Sequence, residues 1–221
     1  MSNYFQRLPD FEYVSRLPDA KISDYIRVKN LFKRGVLRED IFQNLSFFTK
    51  YEVKGNDRPD NVAFEVYNDS SLDWVVLITN NIVNIQTEWP MSQVDFDAYL
   101  LEKYGSYDTL YNGVHHYETE ELKNSQDVVI VPAGLQVESD YSVTYYDSLT
   151  DTMITRSPII TVTNYDYEES LENNKRNIFI LKPRYLNVVM DDMEDMMTYR
   201  KGSTQYKSET LKTAENIRLF Q

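Results

Sequence analysis

Cysteine is absent from this 221-residue chain, which excludes disulfides, zinc–thiolate centres and a cysteine nucleophile. That absence suits a reducing compartment or an assembly built inside a cell. Histidine occurs twice and glycine six times. No stretch approaches the roughly 18 apolar residues of a membrane span, and the opening MSNYFQRLPDFEY lacks the apolar run of a signal peptide. The expectation is a protein without a membrane partner, which stays where it is made or leaves by lysis. The GxSxG elbow, the HExxH zinc helix and the GxxxxGK[ST] phosphate loop are also missing. No catalytic residue, metal ligand or cofactor is therefore assigned, and the chain is read as not an enzyme.

Apolar residues make up 42% of the sequence and aromatics 14%, at a mean hydropathy of -0.53, too apolar for a disordered chain. Eighteen tyrosines outnumber the glycines threefold. Tyrosine has a large apolar face and a polar tip, which suits surfaces buried on assembly, and equally suits half-buried strands. The net charge of -12 is uneven: residues 1–60 carry 11 Lys and Arg against 9 Asp and Glu, the rest 12 against 26. An acidic body argues against nucleic acid, which needs clustered cations, but permits attraction between oppositely charged parts of neighbouring subunits.

Residues 1–20 contain RLPD twice, at Arg7 to Asp10 and Arg16 to Asp19. Each proline disfavours helix at the leucine before it, giving an extended strap that needs a surface to lie on. Ile22, Tyr25, Ile26, Val28, Leu31 and Phe32 fit a helix that stops at Gly35, and Ile41, Phe42, Leu45 and Phe48 fit a second short one. Thr49 to Lys54 is β-rich and Gly55-Asn56-Asp57 is a turn. Pro59 stands where a first-turn proline is tolerated, so a helix is expected to Tyr67.

Ser70 with Asp73 resembles a capping box for a further helix at about 71–81, with Trp74, Leu77 and Ile78 on one face. A later strand would then close a βααβ unit. Ser92 to Tyr104 reads as a helix with Val94, Tyr99 and Leu100 inward. From Asp127 the texture turns to alternating strands through IITVTNYDYE, and Asn177 to Leu181 adds a strand. Leu186 to Tyr199 reads as a helix with Val189, Met190, Met193 and Met197 in one stripe. The polar tail is expected to order only against a partner.

The two histidines are adjacent, His115-His116, and neighbours on a strand point to opposite faces, so they do not share a metal without distortion. Glu118, Glu120 and Glu121 read as a solvated acidic loop. The run DDMEDMM from Asp191 lacks the spacing and glycine turn of a calcium loop, and reads as a helix with carboxylates on one face and methionines on the other. Trp74 at helical spacing is expected in the core; Trp89, beside Pro90, fits core or interface.

The stretch YEVKGNDRPDNVAFEVYNDSSLDWVVLITNN resembles a LysM module. Tyr51, Val53, Gly55, Asp57, Val62-Ala63 and Asn80 or Asn81 occupy the places of its strand, turn, helix pair and terminal Asn. Arg58-Pro59 departs from the usual Thr-Leu, and the run Trp74 to Ile78 is more apolar than a solvated module needs. More widely, IRVKNLFKR, LREDIFQN, FTKYEVKGNDRPDNVAFEVYNDSSLDWVVLITNNI, TEWP, KYGS and KRNIFILKPRYL together resemble the LysM-containing base plate wedge proteins of T-even-like contractile-tail bacteriophages, most densely over residues 25–106.

The resemblance implies an α+β protein: a compact LysM-like βααβ core, an N-terminal helical and extended arm, and a β-rich C-terminal portion ending in a helix and polar tail. The implied divisions are an arm at 1–48, the core and following helix at 49–106, an acidic and aromatic insertion loop at 107–126, the β-rich portion at 127–199 and the tail at 200–221. It further implies a structural virion subunit, assembled in the host cytoplasm, that contacts other wedge proteins and neighbouring copies across wedges and helps join wedges into a six-fold base plate. Tyr51, Val53, Gly55, Arg58, Pro59, Trp74, Trp89 and Arg184 are the candidate contact or core-motif positions. The alternative carried by the LysM texture is binding of cell-wall peptidoglycan; a lytic hydrolase is a third reading, weakened by the missing motifs.

Overall fold

The computed structural model describes residues 3–21, 24–202 and 204–213. It is a mixed α and β protein, compatible with the α+β class, that divides into two units. One comprises Met1–Trp89 with Asn177–Gln221, the other Pro90–Arg176.

The first unit opens with α1 (Tyr4–Arg7), capped by Asn3, and β1 (Asp10–Val14). Residues 25–29, expected in a helix, instead form strand β2 (Tyr25–Lys29), antiparallel to β1. The same spacing that fits a helix also reads as alternation. Pairing decides the outcome: Phe11 and Tyr13 meet Val28 and Ile26, while Asp10 and Glu12 meet Lys29 and Arg27. Ile22 lies outside the described residues. Short α2 (Glu39–Phe42) and a 3-10 turn (Leu45–Phe47) lead into β3 (Phe48–Glu52). Gly35 is tied to close packing, since a Cβ there would run into the Met193 side chain.

Helix α3 (Pro59–Tyr67) starts on Pro59 and ends at Asn68, whose left-handed backbone (φ 56) closes it. A 3-10 turn (Ser70–Leu72) then runs into α4 (Asp73–Thr79). The cap differs from the expected Ser70: Asp69 accepts from the Ser71 N–H at 2.9 Å, because the turn begins one residue earlier. Short α5 (Ile85–Glu88) precedes Trp89.

The second unit begins with α6 (Gln93–Tyr104), capped by Ser92 and ended at Gly105. Its buried face is Phe96 and Leu100; Val94 and Tyr99, expected inward, are 77% and 37% exposed. Residues 107–126, expected as a loop, contain α7 (Tyr107–Asn112), β4 (Val114–Thr119) and β5 (Leu122–Lys123). There follow β6 (Val129–Val131), β7 (Gln136–Val137), the hairpin β8 (Val143–Asp147) and β9 (Thr152–Arg156), and β10 (Ile159–Thr163).

Strand β4 is the middle of a sheet ordered β10-β4-β7, and β5 pairs with β6. The NYDYE stretch, expected as strand, opens α8 (Asn164–Arg176). The Thr163 hydroxyl accepts from the Asp166 N–H at 3.2 Å, and the Asp166 carboxylate accepts from the Thr163 N–H at 3.2 Å, a reciprocal cap legible in Thr-x-x-Asp.

The chain returns to the first unit through β11 (Asn177–Leu181), which pairs antiparallel with β3 from Asn177 opposite Glu52 to Leu181 opposite Phe48. A strand, two helices and a strand are thus brought together, but the closing strand lies outside the expected 49–106 core and arrives only after the whole second unit. Tyr67 donates to the Leu181 carbonyl at 2.9 Å, and the Asn80 amide both donates to and accepts from the Phe179 backbone at 2.8 Å, fastening α4 to β11.

Helix α9 (Leu186–Met197) buries Val189, Met193 and Met197, with Met190 partly buried, so the methionine stripe belongs to the core. The described part of the tail, expected to await a partner, forms β12 (Tyr206–Ser208) and β13 (Leu211–Thr213); β13 runs parallel to β1, completing a sheet ordered β12-β13-β1-β2, while residues 214–221 lie outside the described residues.

Candidate functional site

The eight candidate positions do not converge. Val53, Trp74 and Trp89 lie in one buried apolar cluster, and Pro59 is also buried. Trp89 is 5% exposed and donates its indole N–H to the Asp57 carbonyl at 2.9 Å, which locks the turn after β3. Trp74 is 4% exposed, beside the rings of Tyr4 and the guanidinium of Arg7. Both rings are thus almost wholly buried.

Tyr51 sits on β3 and donates its hydroxyl to Glu65 at 2.6 Å; burial, reinforced by that carboxylate, pushes the phenol well above its usual range. Gly55 has φ 51, a left-handed turn position that favours glycine. Arg58 is solvent-exposed beside Asp60, and Arg184 is exposed over the Tyr185 ring. The set therefore separates into core members and three isolated surface positions.

The histidine pair departs from simple alternation. Val162 pairs with His116 and Thr163 with Val114, so His115 is the extra residue of a β-bulge. The bulge turns both rings to one side, with their Nδ1 atoms 2.8 Å apart. His115 stacks on Tyr167, and His116 Nε2 meets Glu118 at 2.8 Å. Among the described residues no group of three or more histidines, aspartates or glutamates is placed to hold a metal. No helix among them is long and apolar enough to cross a membrane.

The apolar surfaces of the first unit stand out more than any polar constellation. Phe32 is 96% exposed and its neighbour Leu31 69%. Tyr4, Phe5, Trp74, Leu77, Ile82 and Ile85 line an open groove of about 480 Å³. In the arm-and-tail sheet, cross-strand pairing puts Phe11, Tyr13, Ile26 and Val28 on one face, with Tyr13, Ile26 and Val28 more than a third exposed.

Cations gather at the same sheet. Lys33 donates to the carbonyls of Met196 and Thr198 at 2.8 Å, closing the C-terminal end of α9, where a positive charge is favourable. Lys33 and Lys212 both lie over the Tyr199 ring. Burial, with Lys212 and Arg200 nearby, lowers the Lys33 ammonium below its ordinary value. This surface was not legible in the sequence because its apolar members come from two strands, and the spacing of the second fits a helix as well.

An open apolar groove, an apolar sheet face more than a third exposed and protruding aromatics are the surface features of a partner-binding class of protein. The chain matches the family model of phage base plate wedge protein 53 over residues 4–199, and it belongs to that family. No curated protein matches the chain. Family membership makes it a structural component of the phage tail's base plate that associates with other base plate proteins, and speaks for a non-catalytic role.

Proposed function

We propose that this chain is a wedge subunit of a contractile tail, assembled in the host cytoplasm, which contacts other wedge proteins and helps join neighbouring wedges into a six-fold base plate. The observation that carries the reading is the family match across residues 4–199. The exposed Leu31 and Phe32, together with the apolar groove beside Tyr4 and Phe5, supply surface of the kind that assembly buries. The β3–α3–α4–β11 core is a LysM-like fold used as a docking block. Its tryptophans serve packing, and its apolar second helix is covered by β11 and α9.

Base plate assembly without this chain tests the reading. Particles from a phage lacking the gene are expected to stall before a closed base plate forms, and electron microscopy of complete six-fold base plates in such particles would refute it. Peptidoglycan binding is the second reading, favoured by the strand–helix–helix–strand order around the exposed Gly55 turn. Co-sedimentation of the full chain with purified peptidoglycan decides it, and no enrichment over a non-binding control is expected.

A further inference from the structure

Strand β2 ends its sheet, and all five of its residues are exposed. The Ser15 N–H bonds to the Asp24 carbonyl and the Asn30 N–H to the Pro9 carbonyl, so residues 24, 26, 28 and 30 direct their backbone groups at β1. Alternation then directs the backbone groups of Tyr25 and Arg27 the other way, where no strand among the described residues lies. Such an edge is a template for a further strand.

The side chains state what that strand should carry. Along this edge Ile26 and Val28 stand on one face, and Arg27 and Lys29 on the other. Strand β1 already meets the same side chains from the inner edge with the alternation Asp10, Phe11, Glu12, Tyr13, and the Lys29 ammonium pairs with Asp10 at 3.0 Å. The surrounding segments, residues 3–34 and 199–213, hold 11 Lys and Arg against 5 Asp and Glu. A second β2 added across a two-fold axis would set cations against cations, which is unfavourable. An acidic strand meets no such penalty.

We infer that the free edge of β2 is a β-augmentation site for an extended segment of another base plate protein, one that alternates apolar and acidic residues as β1 does. The site rests on the structural reading above and adds to it the place and chemistry of one contact. Main-chain bonds to Tyr25 and Arg27 give the attachment; Ile26, Val28 and the cations select the sequence.

Hydrogen–deuterium exchange on the free chain and on purified base plates containing it, resolved to single amides, tests the inference. The Tyr25 and Arg27 amides are expected to exchange roughly a hundredfold more slowly in the base plate. Arg27→Pro removes the outward N–H while sparing the bonds to β1, since an edge strand tolerates proline where the N–H faces away from its neighbour. That variant is expected to keep the thermal midpoint of the free chain and to enter base plates at a tenth of the wild-type level or less; Arg27→Ala, which keeps the N–H, is expected to enter at an intermediate level.

Unchanged exchange at both amides, or wild-type incorporation of Arg27→Pro, overturns the inference while leaving the wedge role standing. So does cross-linking that places a helix, or a second copy of this chain, against β2. A wild-type chain absent from purified base plates overturns both.

Discussion

The two units use different means to reach a folded state. Among its described residues the first buries eighteen apolar side chains in one cluster, from Leu8 through Trp74 to Met197, and its sequence carries 18 Lys and Arg against 19 Asp and Glu. The second has a buried cluster of only Phe96, Leu100 and Leu110, and carries 5 against 16. It compensates with buried polar groups. Thr119 donates to the Pro132 carbonyl and accepts from the Leu135 N–H, and Glu168 takes both Lys103 at 2.6 Å and Tyr104 at 2.9 Å. Glu172 accepts from the Met91 N–H and from Lys175. One unit is held mainly by non-directional burial, the other by directed bonds around a small core, so the same kind of truncation should act on them differently.

The largest expected effect is in the apolar unit. Leu181→Ala should cost about 2–5 kcal/mol, because Leu181 is fully buried between β3 and the helices. Urea unfolding with amide exchange should show the loss in β3 and α3 while α6 and α7 keep their protection. The matching Leu100→Ala should open α6 and α7 first and leave β3 and β11 protected. If either substitution loosens both units equally, the distinction between them is wrong.

Next comes Glu168→Gln, which keeps the shape but removes the charge that Lys103 meets. A cost of about 1–3 kcal/mol is expected, confined to the second unit. The contact with Glu168 raises the Lys103 ammonium above its ordinary value, so its contribution is present below the unfolded pKa and fades as pH climbs through the raised folded one. Wild type and Glu168→Gln should therefore converge in strongly alkaline solution, and a difference that persists there would discount the ion pair.

A smaller, local effect is expected on acidification of the first unit. The bond to Lys207 holds Glu12 below the usual carboxylate range, so its contribution is present above the unfolded pKa and is lost as pH falls through the lowered folded one. Amides of β12 and β13 should lose protection in that acidic window before those of β3, and simultaneous loss would show that the tail does not depend on Glu12. Phe32→Ser should change stability least, within about 0.5 kcal/mol, since the ring is almost wholly in solvent. A large loss of stability would mean that Phe32 supports the fold rather than a contact.

Local signals made part of this legible. Pro59 at a helix start, Ser92 as a cap, the β-rich Asn177–Leu181 and the stripe Val189, Met193 and Met197 each write their element into neighbouring residues. The reciprocal cap of Thr163 and Asp166 was equally readable, yet the aromatic alternation of NYDYE masked it. The histidine pair escaped alternation because a bulge is set by the register with β10, which no local spacing encodes.

Trp74 was legible as core from its helical spacing, whereas the burial of Val53 and Pro59 and the exposure of Arg58 and Arg184 were not. Trp89 fitted core or interface until Asp57 supplied a partner for its indole N–H. Composition and local pattern alone carry the lack of cysteine, the excess of acid in residues 61–221, and the helices and strands set by caps, prolines and periodicity. Long-range pairing settles that β11 returns past a whole unit to close against β3, that residues 25–29 are a strand, and that residues 211–213 lie beside β1. Those choices depend on pairing between residues far apart in the chain, whose free energy belongs to the pair and is not carried by either segment alone.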